Sequence, residues 1–335
     1  MIPRTIPTWQ TKSWQEELSD LITQPEELFS LLNLPAELLP AAQKAHTLFP
    51  LRSTRAYVSR IQQNNPDDPL LKQILPLGEE LIETPDFVDD PLEEEDFTPV
   101  PGLIHKYHGR VLLIAANQCA INCRYCFRRH FDYQQHALSR QQWQQALDYI
   151  SNNKDVEEVI LSGGDPLAVS DRQLSWLVAA LAEIPHVERL RIHSRIPIVA
   201  PSRITEELLA TLKDSGLLVS LVIHCNHPQE IDEEVAAALT ALKNSGIILL
   251  NQSVVLKGVN DTSETLITLS KKLFQSGVLP YYLHLLDKVK GSSHFTVNEV
   301  DVLSLNRTLL ANLPGYLVPK FVKEVPNAPS KVPII

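Results

Sequence analysis

The sequence predicts an α/β protein: a partial (β/α)6 TIM-like barrel preceded by an N-terminal helical region. Three observations carry that prediction. Beyond residue 110, short apolar runs alternate with amphipathic stretches. A Pro-rich acidic segment separates this part from earlier residues patterned as short helices. The side chains capable of chemistry gather directly after the apolar runs. Alternation of strand and helix builds a parallel sheet with helical crossovers, and six such units fall short of a closed eight-unit barrel.

The first region, 1–83, is expected to be helical. Trp14 to Ile22 and Glu26 to Leu32 place apolar groups on one face, and prolines at 35, 40 and 50 break the pattern into pieces. Residues 84–101 form the acidic Pro-rich connector, which contains Asp89, Asp90, Glu93, Glu94, Glu95 and Asp96. A charge run of this kind normally stays solvated. The barrel then occupies 102–335. Its strands are expected at 110–116, 158–162, 187–193, 217–224, 247–255 and 281–286, and its helices near 139–152, 171–184, 205–214, 231–245, 262–276 and 297–311. Sites in such sheets collect at the C-terminal strand ends.

Composition narrows the function class. A chain of 335 residues, 44% of them hydrophobic, can bury one large core with an appendage. A net charge of -10 disfavours a surface that tracks phosphates, so no nucleic-acid partner is expected. No apolar run approaches membrane-spanning length, and the opening residues Met1-Ile2-Pro3-Arg4 do not start a charged-then-apolar leader. The four cysteines do not suggest a disulfide framework, which points to the reducing cytoplasm.

Three of those cysteines, Cys119, Cys123 and Cys126, follow the first strand as CxxxCxxC. Three thiolates on one loop can each bind one iron of a 4Fe–4S cluster and leave the fourth iron open for chemistry. A structural zinc site would want a fourth ligand, and His130 is the one nearby residue that could supply it. After the second strand comes Gly163-Gly164-Asp165, where paired glycines serve either a tight turn or a close backbone approach to a ligand. The third and fourth strands end in His193-Ser194-Arg195 and His224-Cys225-Asn226-His227; Cys225 reads as a small buried hydrophobe. Arg128, next to the cysteine loop, could hold a carboxylate bidentately.

Taken together, Pro99 to Tyr107, Cys119 to Arg129, Leu161 to Asp165, His193 to Pro197, His224 to Pro228, Asn251 to Ser253 and Pro280 to Tyr282 resemble the lysine 2,3-aminomutases of the radical S-adenosylmethionine (SAM) superfamily. The compact length is most similar to the short branch that makes β-lysine for elongation factor P. The resemblance implies that Cys119, Cys123 and Cys126 hold a 4Fe–4S cluster whose open iron binds SAM. It implies that Gly163, Gly164, Asp165, His224 and Gln252 lie along SAM. Lys331 falls where the family carries its pyridoxal phosphate lysine, and Tyr107 and Arg110 match positions near that cofactor. Arg128 matches the arginine for the substrate carboxylate, and Asp287 and Glu324 match the two acids for its ε-ammonium. The longer members carry a glycine-rich run before the lysine, where this chain has Pro326 to Ser330.

The implied reaction converts L-α-lysine to β-lysine through a 5′-deoxyadenosyl radical and an external aldimine of pyridoxal phosphate. Breaking an unactivated C–H bond lies outside the range of any side-chain base, so a cofactor radical is required. The implied partners are the amino acid, an electron-donating reductase and the ligase that transfers β-lysine to elongation factor P. Two other readings compete: a radical aminomutase for another amino acid, and a non-catalytic iron–sulfur carrier or scaffold.

Overall fold

Nine strands form one sheet and follow one another in space in chain order, in a computed structural model that describes residues 13–130 and 139–334. They are β1 (Leu103–Tyr107), β2 (Arg110–Ala116), β3 (Glu158–Gly163), β4 (Arg189–Ser194), β5 (Leu218–His224), β6 (Ile248–Val254), β7 (Leu279–His284), β8 (Lys320–Lys323) and β9 (Val332–Pro333). Strands β2 to β8 run parallel, while β1 and β9 pair antiparallel at the two edges. Among the described residues β1 and β9 do not pair with each other, so this is the expected partial barrel. The six predicted strands are β2 to β7. The extra parallel strand, β8, has four residues, too few to display an alternating pattern. The opening residues, with the leader reading placed on them, and Ile335 lie outside the described residues.

Six of the helices after β2 begin at a side-chain cap, the short Ile196–Val199 being the exception. Ser139, Ser170, Thr205, Asp232, Thr262 and Asn298 accept backbone N–H bonds at the starts of Arg140–Asn152, Asp171–Ala182, Glu206–Lys213, Glu233–Asn244, Ser263–Gln275 and Glu299–Asn312. Such caps contribute about 1 kcal/mol each and explain why the predicted boundaries fall so near the observed ones.

The period-2 alternation of the strands sorts their side chains. Val159, Leu161, Leu190, Ile192, Leu221 and Ile223 are buried in the core that also contains Leu174, Leu177, Leu208 and Leu239 of the helices. The alternate residues Glu158, Ser162, Arg191, His193, His224 and Gln252 instead line a central cavity. The concave side thus carries these polar and charged groups among apolar ones such as Leu112, Ile160 and Leu250.

The N-terminal region is not a separate lobe. Its short helices Trp14–Ser19, Pro25–Leu32, Leu39–His46 and Arg55–Val58 pack on the same core as the barrel, through Leu18, Leu28, Ala42 and Tyr57 among others. The acidic stretch also departs from the solvated connector expected of it. Val88 N–H donates to Lys288 O and Lys290 N–H donates to Val88 O, both at 2.9 Å, which ties the stretch to the loop after β7. Leu92 is buried. Val100 packs against the barrel core as well, so apolar anchors lie within and beside the run of carboxylates. No helix among the described residues is long and apolar enough to cross a membrane.

Candidate active site

The cysteine loop and the glycine turn are built as one unit. Gly164 N–H donates to Ala116 O at 2.8 Å, and Asp165 N–H donates to Gln118 O at 2.9 Å. The loop backbone passes so close that a Cβ on Gly164 would sit 2.5 Å from Gln118 O and 2.7 Å from Gln118 N. Gly163 has a φ of +104°, and a Cβ there would lie 2.6 Å from Ile114 Cγ2. Both glycines are therefore required by the chain passing beside them, which carries Cys119 on its next residue. The carboxylate of Asp165 also lines the cavity. It accepts from Ser194 Oγ (2.6 Å) and from the N–H groups of Leu167 (3.1 Å), Arg195 (2.7 Å) and Ile196 (3.0 Å). It holds the end of β4 in place.

The N-terminal region clamps the other side of the cysteine loop. Asn122 N–H donates to Arg52 O (2.9 Å) and Arg124 N–H to Gln73 O (3.0 Å). The Arg124 side chain reaches Lys72 O at 3.0 Å and pairs with Glu79 and Glu80. From the barrel side, Arg195 Nη1 donates to Cys123 Sγ at 2.7 Å and to Tyr125 Oη at 2.8 Å. Its Nη2 contacts Gln73 (2.8 Å), Tyr57 (3.2 Å) and Glu230 (3.0 Å). Sequence reasoning named Arg195 in a motif and gave it no role. A strand-end arginine shows nothing in sequence of the sulfur it will face.

The three cysteines line the central cavity, as do Gly163, Gly164, His224 and Gln252. Burial, and after it the neighbouring Cys123 thiolate, pushes the Cys126 thiol up to about 11, and burial raises Cys119 as well. Among the described residues, no three Cys, His, Asp or Glu side chains converge as ligands of a single ion. His130 does not complete a zinc set; its ring lies 3.2 Å from Lys290 O. Cys225 is fully buried in the core. His224 stacks on Tyr125 at 5.6 Å between ring centroids and shares a 3.0 Å hydrogen bond with its hydroxyl. Burial, helped by the Arg195 charge, holds this imidazole neutral.

Further along the same cavity lie the remaining candidates: Tyr107, Arg110, Arg128, Asp287, Glu324 and Lys331. Lys331 Nζ pairs with Glu324, and Tyr107 Oη donates to Glu324 at 3.0 Å. The Arg110 guanidinium lies 4.6 Å from the centre of the Tyr107 ring. Burial pushes the Asp287 carboxyl up to about 7; Glu324 and Glu94 add to that, and Lys331 and Arg128 oppose it. Arg128 itself donates from Nε (2.9 Å) and Nη2 (2.7 Å) to the two oxygens of Glu94, and from Nη1 (3.3 Å) to Ser162 Oγ. Glu94, a member of the acidic run, was not among the residues the sequence singled out.

The cavity has a volume of about 1130 Å³. This exceeds the roughly 300–1,000 Å³ of a typical ligand pocket. Arg191 Nε, His193 Nε2 and Arg195 Nε are buried without a hydrogen-bond partner among the described residues, and all three side chains line it. Unpaired buried polar atoms cost about 1–3 kcal/mol each, so groups that supply partners are favoured there. A sulfur-lined end, neutral imidazoles and a charged end suit a cluster, SAM and a second ligand side by side.

Comparison with known proteins points to the cluster and SAM. Residues 113–269 match the radical SAM superfamily. The chain is 48% identical to the L-lysine 2,3-aminomutase of Escherichia coli K12, over 98% of this chain and 96% of that one. It is 47% identical to that of Buchnera aphidicola, over 99% and 98%. It is 45% identical to that of Haemophilus influenzae, over 96% and 95%.

Proposed function

Because the chain belongs to the lysine 2,3-aminomutase family of the radical SAM superfamily, we propose that it converts L-α-lysine to β-lysine with pyridoxal phosphate held at Lys331. Membership brings with it a 4Fe–4S cluster, SAM and the isomerase class. One observation carries the substrate reading. A cation, Arg128, and two acids, Asp287 and Glu324, line the same cavity as Lys331, a set that suits a molecule with a carboxylate at one end and an ammonium at the other.

When bound, the cluster and SAM supply a carbon radical able to take hydrogen from an unactivated C–H bond, and pyridoxal phosphate supplies a π system through which nitrogen can migrate. Cys119, Cys123 and Cys126 would hold the cluster, with Arg195 fixing the orientation of the Cys123 sulfur. Gly163 and Gly164 keep the loop close to the β3 end, so the cysteines and the cavity floor move as one piece. Arg128 would bind the substrate carboxylate. Asp287 and Glu324 would take the ε-ammonium, and the Tyr107 hydroxyl keeps its proton on Oη while steering Glu324 Oε2. Lys331 and Glu324 satisfy each other until a ligand engages either. Two carboxylates facing one ammonium in a pocket poor in water would supply several kcal/mol of discrimination.

The link to elongation factor P, and with it the β-lysine ligase and the reductase as partners, rests on resemblance to the short branch of the family. The test is anaerobic: reconstituted protein with pyridoxal phosphate, SAM, dithionite and isotopically labelled α-lysine, read by chromatography and mass spectrometry. Labelled β-lysine is expected. Release of 5′-deoxyadenosine without β-lysine would remove lysine as the substrate. Borohydride should fix pyridoxal phosphate to the peptide that carries Lys331, and no adduct there would remove that assignment.

A further inference from the structure

We propose that Glu94 is a positioning residue for substrate recognition: from the acidic strap over 84–101 it fixes the guanidinium of Arg128 in the orientation that receives the amino acid's carboxylate. The inference rests on the proposed role of Arg128 and deepens it.

Glu94 is itself placed by a preorganised turn. The Asp90 carboxylate accepts from the N–H groups of Leu92 (3.2 Å), Glu93 (3.1 Å) and Glu94 (3.1 Å), and Glu93 takes a left-handed φ of +52°. Thr98 Oγ1 donates to Glu94 O at 3.0 Å, closing the segment from its other side. From that anchored backbone the Glu94 side chain, 14% exposed, makes a two-pronged contact with Arg128, 7% exposed. A bidentate carboxylate fixes the plane of a guanidinium as well as its position. Glu94 occupies the Nε and Nη2 edge, while Nη1 is directed toward Ser162 at the β3 end and the cavity. An arginine so fixed loses little side-chain freedom when a second carboxylate binds.

The strap reaches the other end of the pocket too. Its Val88 bonds to the backbone of Lys288 and Lys290, which lie in the loop directly after Asp287. Thr84 Oγ1 donates to Ser293 Oγ at 2.8 Å nearby. One segment therefore braces the group for the carboxylate and the loop beside the group for the ammonium. The acidic run serves as scaffold for the pocket.

The experiment uses the reconstituted holoenzyme with Glu94→Gln, Glu94→Asp and Glu94→Ala, and compares L-lysine with L-lysinamide, in which the carboxylate is a neutral amide. Glu94→Gln is isosteric and keeps one acceptor oxygen; its cluster content and circular dichroism should match the parent protein. For lysine, KM is expected to rise on the order of ten- to a hundredfold in Glu94→Ala, with a smaller loss in kcat and partial recovery in Glu94→Gln and Glu94→Asp. For lysinamide the effect of each substitution should shrink to near unity, since no carboxylate then meets Arg128. Equal losses on both substrates would mark a purely structural role and overturn the proposal. An unchanged KM would overturn it as well. A lower KM for lysine would show Glu94 to be a competitor that the substrate must displace, which is the opposite assignment. If the parent protein forms no β-lysine, the proposed function fails separately. Calorimetric binding of lysine and lysinamide to parent and Glu94→Gln then decides this inference by the same signs.

Discussion

Gly164→Ala offers the most direct test of how the barrel positions its cysteines. The added Cβ would lie 2.5 Å from Gln118 O, 2.7 Å from Gln118 N and 2.8 Å from Gln118 C. All three are backbone atoms, so no rotamer change relieves the contact. Ordinary carbon–oxygen contact begins several tenths of an ångström farther out, so Gln118 must move away by most of an ångström. That movement strains the Asp165 N–H bond to Gln118 O, now 2.9 Å, and carries Cys119 with it. Overpacking of this kind destabilises by about 1–3 kcal/mol. In a chain of this length that is a fall in Tm of roughly 2–4 °C. The functional loss should be larger, because a displacement near 1 Å in a reacting constellation can cost about a hundredfold in rate. The assay pairs thermal unfolding of the metal-free protein with iron content and 5′-deoxyadenosine formation after anaerobic reconstitution. Gly315→Ala is the control, since nothing lies within 4 Å of a Cβ there. Parental iron content and SAM cleavage in Gly164→Ala would refute the reasoning, whatever the melting temperature.

The remaining predictions concern buried charges. Asp287 has its carboxyl pushed up from 3.8 to about 7, so in the free enzyme it is largely neutral below that pH and cannot attract an ammonium. The kcat/KM for lysine should therefore rise with pH through about 7, and Asp287→Asn should remove that limb along with most of the activity; a parental limb in the variant would assign it elsewhere. The sign for stability is opposite. A carboxyl with a raised folded-state pKa contributes stability that is fully present below its unfolded value and lost as pH rises through about 7, so Asp287→Asn should flatten this part of the stability profile. Arg195→Met leaves Glu230, fully buried, without its cation. Urea unfolding should show a loss of about 3–5 kcal/mol. The same variant removes a hydrogen bond from the Cys123 sulfur, which should lower the reduction potential of the reconstituted cluster in a dye-mediated titration; an unchanged potential would dissociate Arg195 from the cluster.

Much of the fold was legible because its signals are local. Short apolar runs such as Val111 to Ala115 and side-chain caps such as Ser139 and Asp232 state strand and helix within a few residues. The cysteine spacing is equally local, and so is the glycine pair beside it. What escaped were features made by contacts distant in sequence. Strand β8 is four residues long and is defined by its pairing with β7, not by its pattern. The N-terminal helices looked like an appendage, yet their connecting segments clamp Asn122 and Arg124 of the cysteine loop through the backbone oxygens of Arg52 and Gln73. Backbone acceptors have no side-chain signature, so nothing in residues 50–80 announced that contact.

Charge pairing was the least legible layer, and Arg128 shows why. Its partner lies 34 residues earlier, in a run where six acidic residues fall within eight positions. A carboxylate that turns inward and one that faces water have the same letter, and averaging over the run favours the solvated reading for each of them. One local sign did exist. Asp90-Pro91 is a turn-initiating pair, and an aspartate there can take the N–H groups of the next residues, fixing the direction of the side chain at Glu94. A charge run interrupted by such a turn has a preferred geometry that a continuous one lacks. With the turn in place, the distinction between a solvated connector and a strap reduces to whether a cation waits at the right distance, and Arg128 does, at 2.7 Å.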